Sequence, residues 1–384
     1  MSTTNSDIIY LDHGASTPMD PAVLEAMHPY YFEHYANPSA SHPMGQRAKR
    51  GVEDARRQLA ELWHVAPSEI VFTSGGTESD VLAIRGLALA APSDRRVAWL
   101  FALEHPAVSA QHEWLEAQGF DVRCIPANAD GFVDVEGWAT QVDANTSICA
   151  VMHVNNELGT IQPIREIREM LDERAPGAAL HVDAVQSFTK TAVYPGEMGA
   201  TTLAIAAHKF HGPKGVGALY IREGTQLEPL VLGGGHEQGR RAGTLNAPGI
   251  VGMVRAASIA LEAFSITTAR IAELRDQLHA GIRLACPQVQ LNGSASNRQC
   301  NNLNLHIPAC SGWALLAALE ARGIIASAGS ACQSSHGGPS AVLQAIGRTA
   351  PGSANLRLTL SRMTTKHEID VAIPRIVDAI QSIT

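Results

Sequence analysis

Between residues 66 and 222, short apolar runs alternate with stretches whose apolar residues recur at helical spacing. That alternation constrains the fold more than any single motif. Ile70-Val71-Phe72-Thr73 precedes a stretch carrying Val81, Leu82, Ile84 and Leu87, and the run 147–154 precedes a helical pattern over 163–171. The run 178–182 leads through a short connection to 203–207. Strands alternating with helices predict an α/β fold with a mostly parallel sheet covered on both faces. Ligands of such sheets bind beyond the carboxyl ends of the strands, so the residues just after each run carry the functional information.

Those residues are polar at four strand ends. Ser74-Gly75-Gly76-Thr77-Glu78 follows the first run, Asn155-Asn156-Glu157 the second, Asp183 with Gln186 the third, and His208-Lys209 the fourth. One shared crevice accounts for all four. Lys209 stands between an apolar strand and the Gly/Pro-rich turn 212–217, where a partly desolvated amine is costly to keep charged. Such an amine suits a Schiff base with an aldehyde cofactor; a lysine snorkelling from a strand end is the plain alternative.

The chain also supplies the other groups that pyridoxal phosphate needs. Gly76 and Thr77 at a helix start offer backbone N–H groups, a positive dipole end and a hydroxyl to a phosphate. Glycines also occur at such turns for backbone reasons alone. Asp183 fits an acidic partner for a pyridinium nitrogen, or equally a turn or helix-capping residue. Gln186 can meet the ring's phenolic oxygen and Asn155 its edge. His105, after the apolar run 97–103, can stack on the ring and move protons, or be structural.

Past residue 255 the texture changes. Residues 256–278 read as one long helix, followed by short runs at 288–291, 302–307 and 356–360 and a last helix from Lys366. These predict a smaller α+β unit, and 384 residues suffice for two domains. The start Ile8-Ile9-Tyr10-Leu11-Asp12 fits against either unit. We place residues 15–258 in the large domain and 1–14 with 259–384 in the small one. A net charge of -8 without a long basic run argues against nucleic acid or an anionic membrane as main partner. No apolar stretch reaches the roughly 20 residues of a bilayer span. Residues 1–7 carry neither a basic nor an apolar leader segment, so no secretory signal is expected. The six cysteines (124, 149, 286, 300, 310 and 332) form no C-x-x-C pair. A disulfide framework or a metal site is not expected, and a cytoplasmic location is.

Read together, the motifs resemble the cysteine desulfurases of the NifS/IscS type, within the class V aminotransferase group of fold-type-I pyridoxal phosphate enzymes. The likeness runs from Tyr10-Leu11-Asp12 with Thr17-Pro18, through Asn37-Pro38-Ser39 with His42 and Thr73-Ser74-Gly75-Gly76-Thr77-Glu78-Ser79, to His153-Val154-Asn155-Asn156-Glu157. It continues in Asp183 with Gln186, His208-Lys209 with Gly212-Pro213-Lys214-Gly215, the segment 233–244, and Gly329-Ser330-Ala331-Cys332. The resemblance implies a transferase with a large domain on a mostly parallel central sheet and a smaller α+β domain. It assigns Lys209 to the Schiff base, Asp183 to the pyridine nitrogen, His105 to the ring face and Gln186 to the phenolic oxygen. Thr77 and His208 go to the phosphate, and Thr244 to the phosphate of the neighbouring subunit in a homodimer. Arg357 matches the arginine that clamps the substrate carboxylate, as a planar fork suits. The implied reaction turns L-cysteine into L-alanine, leaves the sulfur as a persulfide on Cys332, and passes it to a protein acceptor.

Cys332 discriminates among rivals. It lies in the run 329–340 of small and polar residues, expected as a mobile loop that exposes the thiol, whereas Cys149 sits among apolar neighbours. The Cys332-to-Pro339 spacing resembles the long-loop NifS/IscS branch. Selenocysteine lyase or cystine C–S lyase on the same fold is the nearest rival, and direct elimination needs no protein nucleophile. A non-catalytic scaffold in a sulfur relay has no need of Lys209, Asp183, Arg357 and Cys332 together. Two positions depart from the family pattern: Ala206 stands where relatives place a serine that donates to the phosphate, and Gln238 where many carry arginine.

Overall fold

The structure is a computed structural model that describes residues 8–328, 340–349 and 352–383. In chain order its strands are β1 (Ile9–Tyr10), β2 (Ile70–Thr73), β3 (Val97–Phe101), β4 (Asp121–Ile125), β5 (Thr146–Ala150) and β6 (Ala179–Asp183). They continue as β7 (Thr202–Ala206), β8 (Gly217–Ile221), β9 (Gln290–Leu291), β10 (Asn302–Ile307), β11 (Ile324–Ile325) and β12 (Ala354–Thr359). The main sheet has seven strands in the order β2-β8-β7-β6-β5-β3-β4. Every pair is parallel except those of β8, which runs antiparallel to both β2 and β7. The mostly parallel sheet is as expected. The reversal follows from the 207–216 connection, shorter than the dozen or so residues a parallel crossover needs.

Alternate residues of the central strands feed two cores, which is why these strands read as unbroken apolar runs. Trp99, Cys149 and Leu203 face a core shared with the helices Pro43–Trp63, Ile164–Arg174 and Ala247–Glu262. Ala98, Leu100, Ile148 and Ala150 face the other side, against the helix Gly76–Ala90. Strand ends of one direction therefore open on one rim, between the two helical layers.

A separate core holds Leu303, Leu305 and Ile307 of β10, Leu356 and Leu358 of β12, and Leu274, Leu278 and Ile282. Ile9 and Leu11 lie in it too, and β1 pairs in parallel with β11. The run read as one helix over 256–278 is two helices, Ala247–Glu262 and Phe264–Ala285, bent by 77°. Ala257 packs in the first core and Ile271 in the second, and a straight helix cannot serve both. The last helix, Lys366–Gln381, opens on a Thr365/Glu368 capping box.

Candidate active site

Just past the ends of β6 and β7 a cavity of about 280 Å³ is lined by Gly76, Thr77, His105, Asp183, Gln186, His208, Lys209 and Arg357. The chain thus brings most of the sequence-derived candidates to one place. Lys209 closes a single 3₁₀ turn, Ala207–Lys209, directly after β7. Phe210 behind it stacks edge-on against Phe188 at 5.2 Å, and Phe188 against Trp63 at 5.7 Å. That aromatic column fixes the backbone, so the amine's position is set by packing. Lys209 Nζ donates to the carbonyls of Gly14 at 2.8 Å and Ala15 at 2.9 Å. Gln186 Nε2 donates to the same Gly14 carbonyl at 2.9 Å.

Asp183 ends β6, and its Oδ1 accepts the Val185 backbone N–H at 2.8 Å. Burial first, and Asp80 next, push its carboxyl up to about 7, against a pull from His105. His105 caps the short helix Pro106–Ser109: its Nδ1 accepts the Ala107 N–H at 3.1 Å. A neutral ring therefore carries its proton on Nε2. Burial lowers the His105 pKa, and Asp183 partly restores it. His208 is pushed down to about 4 by burial and by Lys209, so its ring is neutral at pH 7.

Gly76 and Thr77 begin the helix Gly76–Ala90, whose N-terminus has no side-chain cap. Its first-turn amides are left to an anion. A Cβ on Gly76 would stand 2.8 Å from Val185 Cγ2, so only glycine fits this wall of the cavity. Ala206, fully buried, lines the same wall.

Arg357 comes from β12 of the second core and is 1% exposed. Its Nη2 donates to Asp12 Oδ1 at 2.8 Å and its Nη1 to the Asn156 carbonyl at 3.2 Å, while Nε is buried without a hydrogen-bond partner. Together these groups match a phosphorylated aromatic aldehyde and a carboxylate: a backbone anion site, an amine, an imidazole, an acid and a guanidinium.

Two expected residues lie elsewhere. Asn155 is not in the lining; its Nδ2 donates to the Leu103 carbonyl at 2.9 Å and its Oδ1 accepts the Glu157 and Leu158 N–H groups at 3.0 and 2.8 Å. Its neighbour Asn156 lines the cavity in its place. Thr244 is exposed and outside this cavity, on a segment pinned by Arg241 to Glu78 at 2.8 Å and by Glu237 to Arg56 at 2.6 Å. Gln238 of that segment is exposed, within 3.5 Å of the Ser68 carbonyl. Cys332 lies outside the described residues. The five described cysteines all have thiols pushed above the ordinary value by burial, which is the opposite of an activated nucleophile.

Asp80, Met152, Asn156 and Gly14 line the cavity without having been singled out. Asp80 could have been found: it lies four residues after Gly76 and so on the same helical face.

The Aminotransferase class-V family profile matches residues 9–371. The chain is 41% identical over 383 residues to a protein of Trichormus azollae named cysteine desulfurase, covering 98% of this chain and 94% of that one. Among solved structures, one titled NifS-like protein superposes with a TM-score of 0.92 at 33% identity, covering 98% of this chain and 100% of the other. Another, titled SspA in complex with cysteine, gives a TM-score of 0.80 at 33% identity, covering 93% and 99%.

Proposed function

The chain belongs to the class-V aminotransferase family, among its cysteine desulfurases, and from that premise we propose that it uses pyridoxal phosphate to move the sulfur of L-cysteine onto Cys332. The observation that carries this reading is the convergence of Lys209, Asp183, His105 and Arg357 on one cavity. Pyridoxal phosphate, when bound, supplies an aldehyde carbon that holds the substrate amine and a ring that draws electrons from Cα.

The protein's own groups do the rest. The first-turn amides at Gly76 and Thr77, with His208, hold the phosphate; Asp183 holds a proton on the ring nitrogen; His105 covers the ring face and Gln186 meets its phenolic oxygen. Arg357 grips the substrate carboxylate. Its Nη2 is held by Asp12 at 2.8 Å and its Nη1 by the Asn156 carbonyl at 3.2 Å, the longer of the two bonds, so the substrate carboxylate takes the Nη1 side in place of that carbonyl. Lys209 takes the Cα proton. The Cys332 thiolate attacks the substrate sulfur: the S–S bond forms, the C–S bond breaks, and its electron pair stays on Cβ. The proton of the substrate thiol ends on Cβ and Lys209 returns its proton to Cα, so alanine leaves and only sulfur has been transferred. A protein thiol then accepts the persulfide sulfur.

We assign the chain to a homodimer in which Thr244 reaches the partner's phosphate; its exposure on a segment anchored at both Glu78 and Arg56 supports this. The division at residue 258 and a reducing cytoplasm, which keeps a nucleophilic thiol usable, complete the reading.

Substituting Cys332→Ser tests it. Alanine formation should fall by roughly 10⁴-fold or more, as when a nucleophile is removed elsewhere, while the protein stays yellow with bound cofactor. Alkylation after mixing wild type with cysteine should place the extra sulfur on Cys332. Sulfide release at the wild-type rate from Cys332→Ser would make the enzyme a direct lyase.

A further inference from the structure

Beside the Asp183 carboxyl lies a buried polar chain that the reaction as written does not use. Asp80, 1% exposed, is the fifth residue of the helix Gly76–Ala90 and reaches the cavity wall. Its Oδ1 lies 3.2 Å from His181 Nε2, and His181 Nδ1 lies 2.9 Å from Thr202 Oγ1. His181 and Thr202 are both fully buried. His181 and Asp183 are two residues apart on β6, so their side chains leave the same face of the strand. Asp80 and Asp183 thus line one cavity and feel each other's charge, so the two do not both ionise freely.

The hydrogen bonds decide which acid keeps its proton. Asp183 accepts a backbone N–H from Val185, a donor that cannot reverse, and this favours the anion. Asp80 meets an imidazole nitrogen, which accepts as well as it donates. We propose that Asp80 is a positioning residue: it keeps its proton and donates it to His181 Nε2, His181 donates from Nδ1 to Thr202, and Asp183 alone carries charge toward the cofactor's ring nitrogen. The proposal rests on the assignment of Asp183 to that nitrogen. An ionised Asp80 requires the reverse chain, with His181 donating from Nε2 and the Thr202 hydroxyl donating to Nδ1. That arrangement sets a second negative charge beside Asp183 and weakens its hold on the ring proton.

The surrounding groups agree. Burial pushes both carboxyls up, Asp80 to about 8 and Asp183 to about 7, so the pair is short of charge near neutral pH. Burial pushes His181 down to about 4, so it is a neutral ring that must pick one tautomer. From the segment after β3, Glu104 faces both acids and His105 faces Asp183, and from the turn after β7, Lys209 lines the same cavity. Burial and Asp183 raise the Glu104 carboxyl, against the Met152 backbone N–H that its Oε1 accepts. The positive end of the helix favours an ionised Asp80, but that influence fades beyond the first turn. An anion seated at the same helix N-terminus pushes the opposite way.

Asp80→Asn puts an amide donor where the carboxyl proton is, and Asp80→Ala removes it. Titrated with pyridoxal phosphate, the Asn variant should bind within about threefold of wild type and keep the pH profile of the cofactor's visible absorbance. The Ala variant should bind about tenfold or more weakly and shift that profile. In the ligand-free protein, ¹⁵N NMR of labelled histidine should show His181 as the Nδ1–H tautomer, with the signal assigned by its loss in His181→Gln. This readout needs no cofactor, so it separates the proton chain from the role given to Asp183. An Nε2–H tautomer or an imidazolium at His181 overturns the proposal. So does an Asn variant as weak as the Ala variant, or an Ala variant that binds like wild type. If Asp80→Ala does not fold, the Asn variant and the tautomer decide it.

Discussion

The wall of the cavity that carries Lys209 and Asp183 is built differently from the wall that carries Arg357. The first comes from adjacent strands of one hydrogen-bonded sheet, backed by the Phe210–Phe188–Trp63 column. Each side chain is placed by the end of its own strand. The second is assembled from segments far apart in the chain: Arg357 of β12 meets Asp12 across 345 positions and the Asn156 carbonyl across 201. Its geometry depends on how β1 and β12 join the second core. Under the proposed function, the difference makes cofactor grip and substrate grip separable. One is a property of the main sheet, and the other of how the two cores are joined.

The sharpest way to break that comparison is Arg357→Lys. An ammonium keeps the charge but loses the planar fork. Losing one charge-assisted hydrogen bond at about 1.5–3 kcal/mol predicts a fall in kcat/KM for cysteine of roughly 10- to 200-fold, mostly in KM. Pyridoxal phosphate affinity, followed by absorbance, should stay at the wild-type value. A matching loss of cofactor affinity would show that the two walls are one unit.

A smaller effect is expected in the pH dependence of the ligand-free protein's thermal midpoint. His153, His181, His208 and His211 are each pushed down to about 4, chiefly by burial. The unfolded chain binds protons at these rings below about 6.5 while the folded one does not, so stability rises from pH 4 to 6.5. Asp183 and Asp80 are raised, to about 7 and about 8. Between their unfolded values near 3.9 and these folded ones, the folded protein holds protons that the unfolded chain has lost. Their contribution is full at low pH and falls as pH rises through 7 and 8. Below 6.5 the lowered histidines, His13 among them, outnumber these two acids; above it the acids dominate, opposed toward pH 8 by Lys190, whose pKa burial lowers to about 8. The midpoint should peak near pH 6.5 and drop toward pH 8, and Asp80→Asn should flatten the drop. A midpoint that climbs steadily to pH 8 would mean that the acids of the first wall do not hold their protons near neutral pH.

Legibility in the sequence divides along the same line. A strand end fixes where the next side chain goes, so Lys209, Asp183, Gln186 and His208 could be read from apolar runs alone. Arg357 was legible only through resemblance, because nothing in its own run says which segment it will face. The choice of Asn155 over Asn156 shows where periodicity stops. After the Val154–Ile161 bridge the chain turns, and the two-residue period that tells one face from the other is lost. The antiparallel β8 depended on a loop length rather than on the apolar pattern. The bend at 77° depended on which core each helix joins. Asp80 was visible as an acid on a helix packed by Leu82, Ala83 and Ile84, yet its partner His181 is 101 positions away.

The smallest expected effect belongs to Ala206, and it tests how tightly the first wall is specified. Ala206 is fully buried in β7, opposite Gly217, and lines the cavity on the side of Gly76 and Thr77. A serine hydroxyl there could donate to the phosphate, at a cost of desolvating one O–H. A single neutral hydrogen bond is worth about 0.5–1.5 kcal/mol net, and one made to a charged group about 1.5–3 kcal/mol. Ala206→Ser should therefore tighten pyridoxal phosphate binding by about threefold to tenfold, read from the dissociation constant of the reconstituted protein. No change would mean that His208 or the helix amides already satisfy the phosphate oxygens. Weaker binding would show that the wall is packed around the methyl group, since the added oxygen would then meet Gly76 or the turn at Ala207 rather than the phosphate. In that event the first wall is set by close packing at Gly76, where a Cβ would stand 2.8 Å from Val185 Cγ2, and the departure at Ala206 belongs to the fold rather than to cofactor grip.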